Sequence, residues 1–196
     1  MPQRLRNRDP LIEASRFAEN KDARMPGFGK SLYDFVLPLF KSAPETRKRL
    51  VKAACLLHDV SWRAHPDYRA EVCFDNATRA NLGGLNHQER IFLGLALLHR
   101  YSNSREGTRF EELYTLVDEK TQLEAEVLGK AMRFGAMLWM EKGAERATFK
   151  WYPKKQILEL RLTRDALPLF GEVAEIRLKS LASSLQAELV VKTRKD

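Results

Sequence analysis

The chain has little cysteine, little histidine and no long apolar run, and each shortage removes a class of function. Its longest uninterrupted apolar stretches fall far short of the ~20 residues a membrane-spanning helix needs. The N-terminus, MPQRLRNRDPLIEA, is basic but lacks an apolar h-region, so it does not read as a secretory signal. Two cysteines occur, Cys55 and Cys73. Both fall in helical patterns and outside any metal or redox spacing, which predicts buried free thiols in a cytoplasmic protein. PGFGKS (26–31) holds Gly-Phe-Gly-Lys-Ser without the spacing of a phosphate-binding loop, and no strand precedes it. Zinc-finger spacings, a nucleophile elbow and a calcium-binding loop are all missing. Trp62, Trp139 and Trp151 are scattered rather than interleaved with basic residues, and no helix has the dense Arg/Lys/Asn/Gln face of a base reader. Nucleic acid is therefore disfavoured as a partner, although charge alone leaves a three-helix DNA reader open.

What the chain has in excess is positive charge. Its 196 residues carry a formal net charge of +8, with 44% hydrophobic and 31% charged residues. That is the composition of a soluble globular protein suited to polyanions: nucleic acid, an acidic membrane or a phosphate polymer. The length suits one full core, or one main domain with a small appendage.

Helical spacing dominates the first three quarters. Asp9–Pro10 caps a helix over 9–22, and Leu32, Phe35, Val36 and Leu39 define another over 31–40. Pro44 opens a helix carried to about residue 60 by Leu50, Ala54, Leu57 and Val60. A loop with His65–Pro66 follows, and then a helix ending at Gly83–Gly84. Asn86 with Glu89 forms a capping box for a helix through His99 that is apolar on nearly every side, so it belongs at the centre. Thr121 with Glu124 suggests a second box, with Leu123, Val127, Ala131, Phe134 and Leu138 on one face and Gly143 as the stop. Beyond residue 144, ATFKWYP and QILELRL alternate about Pro153-Lys154-Lys155 as a β-hairpin. A helix over 171–187 follows, with Val173, Ile176, Leu178, Leu181 and Leu185 as its apolar set, and AELVVKT offers a third strand. The expected fold is mainly α with a small α+β end. A helical bundle spans 1–143, and a short antiparallel sheet with a covering helix spans 144–196, packed on the bundle because it is too small to stand alone.

Inside AACLLHDVSWRAHPDYRAE (53–71), His58 and Asp59 stand side by side. Metal-dependent phosphohydrolases with a helical HD bundle need four ligands from separate helices: an early His, the adjacent His-Asp, and a late Asp. Here no histidine precedes position 58, the helix over 123–140 offers no aspartate, and Asp118 fits a turn. A divalent ion such as Mg or Mn held by His58 and Asp59 remains an alternative, with His65 and Asp67 close enough in sequence to join them. The plainer reading is a satisfied polar pair at a helix end.

Phosphate polymers are held by spaced cations, with arginine favoured for bidentate contacts. Arg63, Arg69, Arg90, His99, Arg100 and Arg105 cluster near the dyad in sequence, and Lys130 and Arg133 lie three apart on a later helix. Glu126, four residues before Lys130, can pair with it on a solvated face instead. Lys154–Lys155 reads as solubility.

DPLIEASRF (9–17), LYDFVLPLF (32–40), AACLLHDVSWRAHPDYRAE (53–71), HQERIFLGLALLHRY (87–101), VLGKAMRFGAMLW (127–139) and LRLTRDALPLFGEVAEIRLKSLASSL (160–185) together resemble the C-terminal region of the exopolyphosphatase / guanosine pentaphosphate phosphatase family, especially its alphaproteobacterial branch. WRAHPDYR is the most specific of these pieces. The resemblance implies a degraded HD-like bundle that extends a polyphosphate channel and helps form a homodimer in the cytoplasm. In that family the catalytic, metal-binding lobes lie in the preceding part of the protein, which has no counterpart here. The chain is then either part of a longer enzyme or a separate accessory protein, and probing it for independent hydrolysis means probing His58–Asp59. That position is often not histidine in the alphaproteobacterial branch, so this chain is the more HD-like there. The expectations are a polyphosphate-binding and dimerisation domain, an HD-type metal-dependent phosphohydrolase, or a structural or nucleic-acid interaction module.

Overall fold

The computed structural model describes residues 8–102, 110–138 and 146–194. The Asp9 carboxylate accepts from the Leu11 and Ile12 amides, Pro10 takes the first helical position, and α1 runs Pro10–Asp22. α2 spans Phe28–Val36 and gives way to a 3-10 stretch, Leu37–Phe40, because Pro38 has no amide to continue the ladder. α3 (Glu45–Leu57), α4 (Arg69–Arg79), α5 (His87–Tyr101), α6 (Glu111–Tyr114) and α7 (Glu119–Gly135) complete the bundle. Both halves of the Asn86/Glu89 capping box form, and every residue of α5 from Ile91 to Arg100 is buried. α5 is the central helix, packed against α4, α7 and α3. Among the described residues no helix is long and apolar enough to cross a membrane.

Some element ends differ from the sequence reading. α4 stops at Ala80, whose backbone is extended, and not at Gly83–Gly84. Gly84 adopts a left-handed φ of 73° in the connection to α5, where Arg49 donates to its carbonyl and Arg90 donates to those of Ala80 and Leu82. These side-chain donors replace the helical partners that four further residues would have needed. The cap of α7 is Asp118, accepting from the Thr121 amide at 2.7 Å. Glu124, freed from any box, pairs with Arg47 at 2.9 Å. Leu123 is consequently exposed, while Val127, Ala131, Phe134 and Leu138 are buried as expected. Gly143, the expected stop, lies outside the described residues.

The fold is mainly helical, with a small C-terminal sheet. β1 (Ala147–Tyr152) and β2 (Ile157–Leu162) form the antiparallel hairpin, with Ala147 opposite Leu162 and Tyr152 opposite Ile157. β3 (Glu188–Thr193) is present but lies parallel to β2, so the sheet is mixed in the order β1-β2-β3. Parallel neighbours need a long crossover, and α8 (Glu172–Ser184) lies within it. Ala174, Leu178 and Leu181 form the buried side of α8, whereas Val173 and Ile176, expected in that set, are 56% and 54% exposed. The inward side of the hairpin supplies Phe149 to a ring cluster with Phe35 of α2 and Phe134 of α7, at centroid distances of 4.4 and 5.9 Å.

Candidate functional site

His58 and Asp59 sit where α3 ends, His58 being its C-terminal cap residue. Both are buried. His58 Nδ1 donates to the Cys55 carbonyl at 2.8 Å, and the ring packs against Phe28 at 5.3 Å. Tyr101 Oη donates to the His58 carbonyl at 2.8 Å, satisfying one of the acceptors the helix end exposes. Burial lowers the imidazole pKa to about 4, with the nearby Arg100 charge acting the same way, so the ring is neutral at pH 7.

Asp59 is occupied by Arg24, from the loop after α1. The guanidinium donates from Nη2 to Oδ1 at 2.6 Å and from Nε to Oδ2 at 2.9 Å, and the Arg24 amide adds a bond to Oδ2 at 3.2 Å. Burial alone would raise the Asp59 carboxyl, but the Arg24 hydrogen bonds and the neighbouring positive charge outweigh it and hold the pKa below its ordinary value. His65 and Asp67 do not join the dyad; they are well exposed and face each other at 3.5 Å. Among the described residues no three His, Cys, Asp or Glu side chains are grouped to hold a metal. This donor set does not fit the divalent ion of an HD site. Arg24 neutralises Asp59 as a cation would, yet a guanidinium offers no coordination position at which water could be activated.

The basic residues singled out in the sequence divide by what they already bind. Arg90 is spent on the Ala80 and Leu82 carbonyls. Arg69 donates twice to the Ala64 carbonyl and lies over the Tyr101 ring. Arg63 is exposed, stacked 4.9 Å from the Trp62 ring. Lys130 is held by Glu126 and Ser184, each at 2.7 Å. Arg105 lies outside the described residues.

His99 and Arg100 stand where α5 crosses α7, and Arg133 lies about one turn beyond that crossing on α7. Gly129 makes the crossing possible: a β-carbon there would sit 2.4 Å from His99 Cβ and 2.6 Å from the Ala96 carbonyl oxygen. The buried His99 ring meets Tyr114 edge-on. Arg100 is only 8% exposed, and its guanidinium packs 4.7 Å from the Tyr101 ring. Its Nε is sealed from solvent without a hydrogen-bond partner. Asp59 is near enough to be felt electrostatically, but Arg24 already holds it. Burial drives the Arg100 pKa down. Burial also lowers Arg133, to about 10, and the charges of Arg177 and Arg100 press on it further.

Two members of this region escaped the sequence reading. Arg24 sits in ENKDARMPGFG, a stretch that carries no periodic signal. Arg177 lies one turn before Ser180, on the small-residue side of α8 that accepts Lys130, a pattern visible only once α7 and α8 are known to be neighbours.

The chain matches the family model described as exopolyphosphatase, C-terminal, over residues 16–190, and it belongs to that family. No curated protein matches it in sequence.

Proposed function

We propose that this chain is the polyphosphate-binding and dimerisation domain of an exopolyphosphatase of the alphaproteobacterial kind, a degraded HD-like bundle that does not hydrolyse phosphate anhydrides by itself. The observation that carries the reading is Arg100: a buried guanidinium whose Nε has no hydrogen-bond partner, near an Asp59 carboxylate already held by Arg24, is costly unless an outside anion completes it. Membership of the exopolyphosphatase C-terminal family supports phosphate polymer as the anion, and the net charge of +8 supports long-range attraction of it. Arg100 and Arg133 are the inner contacts in this reading. Arg63 and Arg69 are the outer contacts in this reading, Arg90, Lys130 and the buried His99 act as supports, and Arg105 is assigned to anion binding from the sequence alone. The homodimer and the cytoplasmic setting belong to the same reading through the family.

Titration with long-chain polyphosphate over a salt series tests it. The wild-type chain should bind, with affinity falling as salt rises, and Arg100→Met should weaken binding at least tenfold. Affinity no greater than that of an unrelated protein of equal net charge would overturn the proposal.

A further inference from the structure

PGFGKS, whose glycines and lysine lack the spacing of a phosphate-binding loop, helps to line a cavity of about 580 Å³ bounded by α1, α2 and α3. Its amides are already taken. Glu19 of α1 reaches across, and its Oε1 accepts from the Gly29 amide at 2.7 Å and the Gly27 amide at 3.1 Å. The carboxylate therefore holds the place at the α2 N-terminus that an anionic ligand would need. Gly29 permits the fit, since a β-carbon there would sit 2.8 Å from that oxygen and 2.7 Å from the Cys55 carbonyl oxygen. Glu19 is only 2% exposed. Its second oxygen, Oε2, has no donor among the described residues, and the side chain lines the cavity. A carboxylate oxygen withdrawn from water and left without a donor is unfavourable, and an N–H group from outside would complete it.

The cavity also holds cations without a counter-charge. Arg16 is paired with Glu13 at 2.5 Å. Lys30 and Lys52 have no carboxylate partner among the described residues, and the Lys52 ammonium rests 5.8 Å from the centre of the Tyr33 ring. Asp34 lies at the cavity too, but it is exposed and keeps its water. Met25, Phe28 and Leu56 give the lining an apolar part, and Arg24, beside Met25, is anchored on Asp59. We infer that this cavity binds a small zwitterion with an apolar body, an amino acid or dipeptide, whose ammonium donates to Glu19 Oε2 and whose carboxylate meets Lys52 and Lys30. The volume falls within the range of small-molecule sites, which combine apolar walls with a few polar groups. A simple anion would face the Glu19 carboxylate, and a simple amine would leave both lysines unanswered. The site is independent of the polyphosphate reading, since it uses none of the residues assigned to that polymer.

Calorimetric titration of the whole chain with L-phenylalanine and L-alanyl-L-phenylalanine tests the inference, beside the single-ended analogues 3-phenylpropionate and phenethylamine. At least one of the two zwitterions should bind once per chain, at least tenfold tighter than either analogue, and should shift the amide resonances of Gly27 and Gly29. Glu19→Gln keeps an oxygen for those two amides and turns the free position into a donor, so it should weaken binding at least tenfold. Lys52→Met should weaken binding at least fivefold. If circular dichroism shows Glu19→Gln unfolded, Lys52→Met decides alone, because the Lys52 ammonium holds no hydrogen bond among the described residues. No binding by either zwitterion, analogues that bind as tightly, or affinities that the folded variants leave unchanged would each overturn the inference. Displacement of the bound zwitterion by orthophosphate at matched ionic strength would overturn it as well, by making the cavity an anion site.

Discussion

At the scale of single residues, the His-Asp step is chemically quiet because each member already has a protein partner. The consequence is measurable through pH. The folded His58 pKa of about 4 lies below the ordinary imidazole value of 6.5, so between these values the unfolded chain binds a proton that the folded chain refuses. Stability from this group is fully present above pH 6.5 and drains as pH falls toward 4, by about 3 kcal/mol at most. Glu19 works in the opposite sense near its own range, since burial raises its carboxyl pKa despite hydrogen bonds from the Gly29 and Gly27 amides. Urea denaturation at pH 7 and pH 5 should therefore show a loss in the wild-type chain that is clearly smaller in His58→Gln. An equal loss in both would remove His58 as the cause. Asp59→Ala should cost about 2 kcal/mol at pH 7 by urea denaturation, the range of a charge-assisted hydrogen-bond set. Arg24 is half exposed and can return to water, which keeps the figure below that of a fully buried pair. The sequence made the dyad legible as a pair lacking distant ligands. It could not show Arg24 as the partner, because a contact across 35 positions leaves no local pattern.

At the scale of elements, local chemistry was readable and long-range competition was not. Asp9–Pro10, the Asn86/Glu89 box and the Pro153–Lys155 turn carry their own geometry, and all three form. The start of α7 was misplaced because Thr121/Glu124 mimics a box, while Asp118 captures the Thr121 amide and Arg47 captures Glu124. Val173 and Ile176 of α8 were assigned to the core on spacing alone, yet Ala174, Leu178 and Leu181 face it. The α5–α7 crossing gives the clearest test at this scale. Gly129→Ala would set a methyl group against His99 Cβ and the Ala96 carbonyl, and neither is a flexible tip that can swing away. A loss of ~2 kcal/mol in urea denaturation is expected, within the range for overpacked cores. Polyphosphate affinity should fall with it, because His99 and Arg100 move together on α5. Unchanged stability would mean that the two helices can part at no cost.

For the molecule as a whole, the question is whether the C-terminal sheet and the bundle are separate units. The division at 143/144 was drawn from a change of periodicity, and periodicity reports local structure, not the seam between parts. The direction of β3 was similarly out of reach, since AELVVKT alternates alike whether it runs with β2 or against it; only the α8 crossover decides. At the seam, Phe149 of β1 lies 4.4 Å from Phe35 and 5.9 Å from Phe134, and Phe134 meets Phe170 edge-on at 6.2 Å. Phe149 is buried between elements that are far apart in sequence, so each side supplies part of the other's core. A hairpin, one helix and a parallel strand bury too little alone to offset their chain entropy. The two parts are therefore expected to unfold together, with the calorimetric enthalpy equal to the van't Hoff value. Phe149→Ala should cost about 3–5 kcal/mol and lower the melting temperature of the helical signal along with that of the sheet. Two resolved transitions, with only the later one indifferent to Phe149→Ala, would show instead that the bundle keeps its core without the sheet.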